Sequence, residues 1–320
     1  MIIENPKEKV NILITGGAGF IGSHLCDHLL AKGMDVTVID DLSLGRLENL
    51  ASATKYPDFN FIRGDVLDDN FLDRIFKEGN FYSVFHLAAN SDIQRGGQET
   101  SRDLNLTFLT TFKVLDAMRR FGVQRFFFAS SSAIYGEVDG KINEDLGPLR
   151  PISFYGAAKC SAESYISAFA HRFAISSWIF RFSNVVGDRL THGVIHDFIR
   201  KLRDNPQQLR ILGDGTKLKP YLHISDLIEA MMVCRDKMTG LLNCVNIGVE
   251  SQTTVRQIAE IVVNELGLEE VAFKFSSGSI GWAGDVPSYQ YNISRISGLG
   301  WRARLTSDQA IRRAIRESIG

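Results

Sequence analysis

The stretch "TGGAGFIGSH" (residues 15–24) directly follows the apolar run "VNILIT" (10–15) and opens a helical pattern over 20–32. Gly16, Gly19 and Gly22 stand at GxxGxxG spacing. A strand that turns sharply into a helix, approaches a pyrophosphate closely and packs that helix on a sheet is obstructed by a Cβ at each step, so glycine suits all three positions. The helix N-terminus then offers free N–H groups and positive dipole to phosphates. A glycine turn without a ligand is the plainer alternative, but the strand before it and the helix after it favour a dinucleotide. Asp40 closes the next run, "DVTVID" (35–40), where a carboxylate accepts both ribose hydroxyls and repels a 2′-phosphate. NAD is therefore expected rather than NADP, with Asp41 as a competing acid.

Outward from the turn, further strand-like runs stand at "FNFIRGD" (59–65), "SVFHLAA" (83–89), "QRFFFASSS" (124–132) and "SSWIFRFS" (176–183). Helices are expected over 102–121 and 153–174. The first of these sets Leu104, Phe108, Phe112, Leu115 and Met118 at helical spacing. Strands alternating with helices predict an α/β fold, a Rossmann doubly wound parallel sheet covered on both faces. Past residue 183 the alternation loosens and glycines become frequent. The expected division is a dinucleotide-binding domain over 1–183 and a smaller C-terminal α/β substrate domain over 184–320. Within the latter, 222–248 is regular enough to return to the first domain. "TSDQAIRRAIRES" (306–318) reads as a capped amphipathic helix.

The 320 residues are 44% hydrophobic and 23% charged, which leaves ample apolar material for a core. A formal net charge of −1 gives no basic footprint for nucleic acid. No run approaches the ~20 apolar residues of a membrane span, and the N-terminal residues do not read as a signal peptide. Cys26, Cys160, Cys234 and Cys244 form no CxxC pair and are read as reduced thiols of a cytoplasmic protein. His24 and His28, like His192 and His196, are spaced i, i+4. No third ligand stands near either pair, so no metal is expected and the pairs are read as solvated helix faces.

"FYGAAKC" (154–160) puts Tyr155 and Lys159 on one helix face. A free tyrosine, with a pKa of ~10, is a poor base. An ammonium at ~4 Å, at an effective dielectric of ~20, contributes about 4 kcal/mol, roughly 3 pKa units before desolvation. Lys159 is thus expected to bring Tyr155 toward the range where it takes and returns a proton. The plainer alternative is a surface pair on an amphipathic helix. "ASSSAIYG" (129–136) strengthens the chemical reading, because its serines close a strand at the edge where open α/β sheets bind ligands.

Taken with "HLAAN" (86–90), these motifs resemble the extended short-chain dehydrogenase/reductase superfamily, and within it the NAD-dependent nucleotide-sugar epimerases and dehydratases. "RFSNVVGDR" (181–189), "HGVIHDFI" (192–199), "LGDGTKLKPYLHISD" (212–226) and "GWAGDV" (281–286) extend the resemblance over nearly the whole chain. That last set most resembles the short UDP-glucose (UDP-galactose) 4-epimerases of archaeal type. The resemblance implies a catalytic Ser131, Tyr155 as base and Lys159 as its partner, which also holds the nicotinamide ribose. It implies Gly16, Gly19, Phe20 and Ile21 at the pyrophosphate. Asp40, with Asp41 as its rival, Ser43 and Gly45 would surround the adenosine ribose. Asp65 and Val66 would meet the adenine, Leu87, Ala88 and Ala89 would back the cofactor, and Phe182 would lie near the nicotinamide. Substrate contacts would fall on Ser131, Asn184, Val194, Lys219, Trp282 and Asp285. A homodimer is implied, formed through the 102–121 and 153–174 helices.

Sugar 4,6-dehydratases of this superfamily carry an acid pair after the catalytic threonine, and uronate decarboxylases a glutamate; this chain has Ser132 and Ala133. The resemblance therefore implies reversible oxidation at C4 through a transient 4-keto sugar, with inversion on the hydride's return. Three departures leave the nucleotide and sugar open. Trp282 stands where many 4-epimerases have an arginine, Lys219 replaces an arginine and so lacks its bidentate fork, and Thr107 stands where asparagine is frequent. The alternatives are a nucleotide-deoxysugar 4-ketoreductase, an epimerase of another nucleotide sugar, and a non-catalytic dinucleotide sensor.

Overall fold

The computed structural model describes residues 10–138, 140–276 and 289–319. Its first half runs β1 (Asn11–Thr15), α1 (Phe20–Ala31), β2 (Asp35–Asp40), β3 (Phe59–Arg63), α2 (Asp69–Gly79), β4 (Ser83–His86), α3 (Ile93–Gln98), α4 (Thr100–Asp103), α5 (Thr110–Phe121), β5 (Arg125–Ser131), β6 (Lys141–Ile142), α6 (Phe154–Phe173) and β7 (Ser176–Phe182). There follow β8 (Asn184–Val186), α7 (Val194–Asp204), β9 (Gln208–Ile211), β10 (Leu218–Lys219), β11 (Tyr221–His223), α8 (Ile224–Lys237), β12 (Leu242–Ile247), β13 (Thr253–Thr254), α9 (Val255–Glu265), β14 (Ala272–Phe275), β15 (Gln290–Tyr291), α10 (Ser294–Gly298) and α11 (Ser307–Ile319).

Seven strands form one parallel sheet in the order β3-β2-β1-β4-β5-β7-β12. Strand order reverses at β1, so a crevice opens between the carboxyl ends of β1 and β4, where such sheets take ligands. Period-2 alternation sorts the apolar side chains. Phe127 of β5 joins the core on one face with Leu25 and Leu29 of α1 and Leu227 and Met231 of α8. Phe126 and Phe128 join the other with Leu72, Val114, Met118 and Ile166 from α2, α5 and α6. Because β12 pairs with β7, the chain returns to the sheet after α8. A third apolar cluster gathers Phe198, Ile211, Tyr221, Ile258, Val262 and Ile311 from α7, β9, β11, α9 and α11.

The structure departs from the sequence outline around the dinucleotide-binding half. The α2 helix has no counterpart there, although Asp68 caps it by accepting from the N–H groups of Asn70 (3.0 Å) and Phe71 (3.2 Å). The expected helix over 102–121 is not continuous, because a π-helical turn occupies Leu104–Leu109. Thr110 donates to the carbonyl of Leu106 at 3.0 Å and Thr111 to that of Thr107 at 2.7 Å, so hydroxyls compete for main-chain acceptors where the ladder widens.

Candidate functional site

The glycine turn lies where β1 meets α1. Gly16 has φ +70°, and a Cβ there would lie 2.6 Å from the Ala88 nitrogen, so the turn and the Leu87–Ala89 segment close on each other. A Cβ on Gly22 would meet the Gly16 carbonyl at 2.4 Å, so Gly22 sets how closely α1 packs on the turn. At Gly19 a Cβ would lie 3.2 Å from the Gly16 oxygen, tighter than ordinary van der Waals contact, so a side chain there would press on the turn. No side chain caps α1, and its first N–H groups, at Phe20 and Ile21, face outward as anion donors.

Asp40, at the end of β2, is buried. Its carboxylate accepts from the Ala18 N–H at 3.0 Å and the Leu42 N–H at 2.8 Å. A carboxylate offers about four lone-pair sites, so two remain for ribose hydroxyls. Burial pushes its pKa up against these two hydrogen bonds. A Cβ on Gly45 would lie 2.8 Å from both Asp40 oxygens. Asp41 instead turns outward and accepts from the Ser43 N–H (2.9 Å) and hydroxyl (2.7 Å), so the structure brings Asp40, and not Asp41, to the glycine turn. Asp65 is exposed beyond β3, beside buried Val66, and accepts from the Leu67 N–H at 2.8 Å. The uncapped helix N-terminus, the glycine turn and the two remaining Asp40 lone-pair sites fit NAD.

Ser131 closes β5 in register with Phe182 of β7. Its oxygen accepts from the Ala133 N–H at 3.2 Å, and its hydroxyl is near enough to Tyr155 to work against the rise in that group's pKa. Ser153 caps α6, so Tyr155 falls in the first turn and Lys159 one turn on. The expected effect of Lys159 on Tyr155 is overturned. Burial pushes the Tyr155 hydroxyl up to about 12, and the Asp103 charge acts in the same direction, against the Ser131 hydrogen bond. Burial pulls Lys159 down to about 7, against the charges of Asp103 and Glu163. The physical reason is desolvation of the buried hydroxyl, with the ammonium directed elsewhere. Lys159 Nζ donates to the Ala129 carbonyl at 2.6 Å and lies 4.6 Å over the Phe128 ring, but 5.8 Å from the Tyr155 ring centroid.

Behind this pair lies a buried ionic network absent from the sequence reading. Arg181 of β7 donates to Glu163 of α6 at 2.7 and 3.1 Å, and to the Tyr135 hydroxyl and the Glu144 carbonyl, each at 2.9 Å. Ser130 also donates to Glu163, and the Tyr135 hydroxyl to Asn246 at 2.7 Å. The network ties β5, β7, β12 and α6 together beneath the serines. Its signals were an arginine inside the apolar run "SSWIFRFS" and a glutamate one turn after Lys159, since a buried charge requires a partner. Ser132 is held by the buried Tyr289, whose hydroxyl donates to it at 2.8 Å.

Asn184 opens β8 just past Phe182, with its amide 3.4 Å from the Pro220 carbonyl. Val194 begins α7, and Lys219 lies in β10, paired with β13. Trp282 and Asp285 lie outside the described residues. Trp301 is buried in the core. His24 does not sit on a solvated face: it is partly buried, donates to the Asp188 carbonyl at 3.0 Å and packs edge-on against Phe20.

A parallel sheet with a glycine-lined phosphate cradle, a ribose-facing aspartate and a Ser–Tyr–Lys set at its carboxyl edge defines a dinucleotide-dependent α/β protein. Residues 12–248 match the model of the NAD dependent epimerase/dehydratase family. The chain belongs to that family, and its cofactor is NAD. The UDP-glucose 4-epimerase of Corynebacterium glutamicum is 31% identical over 269 residues, 79% of each chain. A crystal structure of a UDP-galactose 4-epimerase is similar with a TM-score of 0.85 at 35% identity, over 96% of this chain and 98% of that one. The dTDP-glucose 4,6-dehydratase DesIV of Streptomyces venezuelae, solved with NAD bound, has a TM-score of 0.88 at 26% identity, over 96% of each chain.

Proposed function

We propose that the protein is an NAD-dependent nucleotide-sugar 4-epimerase that interconverts UDP-glucose and UDP-galactose through a transient 4-keto sugar. The observation that carries this reading is the residue after Ser131. A dehydratase needs an acid there to expel water. Here Ser132 is tied to Tyr289 and Ala133 is apolar, which supports redox chemistry at C4 without elimination. Bound NAD supplies the hydride acceptor and donor. Ser131 shares its hydrogen bond between Tyr155 and the sugar O4 and so aligns the two. Tyr155 takes the O4 proton and returns it after the sugar has turned. Its high proton affinity in this structure means that the base form requires added positive charge. Lys159, at one helical turn, is the pocket's own cation for that purpose and can give up the Ala129 carbonyl to approach Tyr155. Asp40 selects NAD by its two remaining lone-pair sites.

The division into an NAD-binding domain (1–183, with 222–248) and a nucleotide-sugar domain (184–320) is supported by the separate third core cluster. A homodimer is supported by the exposed Leu104, Tyr165 and Phe173 along the π turn and α6. No helix among the described residues is long and apolar enough to cross a membrane, and the four cysteines are free thiols, which supports a cytoplasmic protein.

The test is to mix purified protein with UDP-galactose, without added cofactor, and follow the anomeric protons by NMR. Appearance of UDP-glucose is expected. If nothing changes even after NAD is added, the UDP-glucose/UDP-galactose assignment is wrong, and other nucleotide sugars come next.

A further inference from the structure

Five residues other than glycine take a left-handed backbone among the described residues. Two of them, Asn80 and Ala174, end helices, where that geometry is ordinary. Arg189, at φ +65°, ends none. A long side chain in that region is strained, and such strain persists only where the surroundings impose it. Arg189 lies in the loop 187–193 that joins β8 to α7. Gly187 and Gly193 bound the loop. Asn184 and Val194, two of the residues implied at the nucleotide sugar, stand on either side of it.

The loop is gripped from two sides. On the first is α1, whose N-terminus is the phosphate cradle. Arg189 Nη2 donates to Asp27 Oδ2 at 2.8 Å, with only 18% and 26% of the two side chains exposed. Arg189 Nη1 and Asp27 Oδ1 are buried without a partner, and a pair broken in such a setting leaves an uncompensated charge. One turn earlier on α1, His24 donates to the Asp188 carbonyl at 3.0 Å and packs edge-on against Phe20. A Cβ on Gly187 would meet the Ile224 side chain at 2.5 Å and lie 3.6 Å from the Phe20 ring, so the loop is wedged between α1 and the start of α8. On the second side is α11. Its Glu317 accepts from the Asp188 N–H at 3.3 Å and is paired with His223 (3.1 Å) and Arg313 (2.8 Å).

We propose that Arg189 is a positioning residue whose pair with Asp27 ties the 187–193 loop to α1, so that NAD held at the N-terminus of α1 also fixes how Asn184 and Val194 are presented. The assignment rests on reading Asn184 and Val194 as nucleotide-sugar contacts. Linkage makes the effect reciprocal: a ligand that orders the loop holds NAD more tightly. A residue that merely braced the fold would hold the loop equally with and without NAD.

The test is hydrogen exchange of the full-length protein, NAD-depleted and then resaturated with NAD, read by mass spectrometry over 187–194. In the wild type, NAD should slow exchange there about 10-fold or more. Arg189→Gly removes the side chain and leaves a residue that adopts φ +65° freely. In that variant the slowing should shrink to about threefold or less, while 16–23 are protected by NAD as in the wild type. Arg189→Lys, which keeps a cation for Asp27, should restore most of it. With a nucleotide sugar, Arg189→Gly should raise KM about 10-fold and leave kcat within about twofold. Equal slowing in wild type and Arg189→Gly, no slowing in the wild type, or lost slowing with an unchanged KM each overturns the proposal. Lost slowing in a protein that epimerises no nucleotide sugar upholds the tie and overturns only the assigned reaction. If Arg189→Gly does not fold, Asp27→Asn cuts the same tie from α1 with its shape kept, and the same outcomes decide.

Discussion

At the residue scale, Tyr155 carries the strongest commitment. Tyr155→Phe keeps the ring and its packing on α6 and deletes only the proton. Turnover should fall by about 10²-fold or more, while the NAD content of the purified protein stays at the wild-type level. Normal turnover in the variant would remove Tyr155 as the base. Asp40 makes a separable prediction. Asp40→Ala removes the acceptor for the Ala18 and Leu42 N–H groups and for ribose, and with it the repulsion of a 2′-phosphate. Titration calorimetry should register weaker NAD binding and a narrowed NAD/NADP ratio; an unchanged ratio would point to Asp41. These residues were legible in the sequence because their chemistry is local: three glycines in one turn, an acid at the next strand end, a tyrosine and a lysine one helical turn apart. Arg181 and Tyr289 were not singled out, because the partners that fix their roles lie far away in the chain, such as Tyr135 for Arg181 and Ser132 for Tyr289. The sign of the Tyr155 shift was also misjudged, since spacing reveals neither how deeply the hydroxyl is buried nor which carbonyl the lysine donates to.

At the scale of elements, strands β1, β2, β5 and β7 and helices α1 and α6 lie where hydrophobic periodicity put them, because each buries a face whose period is fixed by its own geometry. The π turn was invisible for a complementary reason. Leu104, Phe108 and Phe112 keep an apolar stripe whether the ladder bonds i−4 or i−5, and only the threonine hydroxyls register the difference. His86 joins three elements: it ends β4, pairs its ring nitrogens with Thr15 of β1 (2.7 Å) and Thr111 of α5 (3.1 Å), and stacks between Phe126 and Phe128. Burial holds its pKa at about 3, below the ordinary 6.5, so the unfolded chain binds a proton there that the native state refuses. The sign follows directly. The His86 contribution is complete above about pH 6.5 and is lost as pH falls toward 3. His24, His28, His192 and His223 are shifted the same way. Urea midpoints measured from pH 7 to pH 4 should therefore fall steeply in the wild type. His86→Gln should lower stability at pH 7 yet flatten that slope by up to ~1.4 kcal/mol per pH unit. An equal slope in the two proteins would mean that His86 is charged in the native state.

At the scale of the whole molecule, the open question is what covers the far side of α5 and α6. One face of each packs on the sheet. On the other, Tyr165 is 45% exposed, Leu104 55% and Phe173 39%, and Phe108 and Phe112 meet Tyr165 edge-on with ring centroids 5.0 and 6.0 Å apart. In the proposed homodimer an aromatic array on these helices would be self-complementary about a two-fold axis, with each Tyr165 meeting the partner's stripe. Scattered exposed apolar side chains need no explanation, but a contiguous aromatic stripe does. One of these helices, α6, carries the proposed catalytic groups Tyr155 and Lys159. Dimerisation would brace them from behind, so assembly and activity should be coupled. Tyr165→Glu places a charge at the centre of the stripe. Sedimentation equilibrium should then give the mass of one chain where the wild type gives two, and turnover should fall although no residue of the pocket has changed. A wild-type chain that sediments as a monomer would remove the dimer. A monomeric variant with full turnover would keep the dimer and sever it from catalysis.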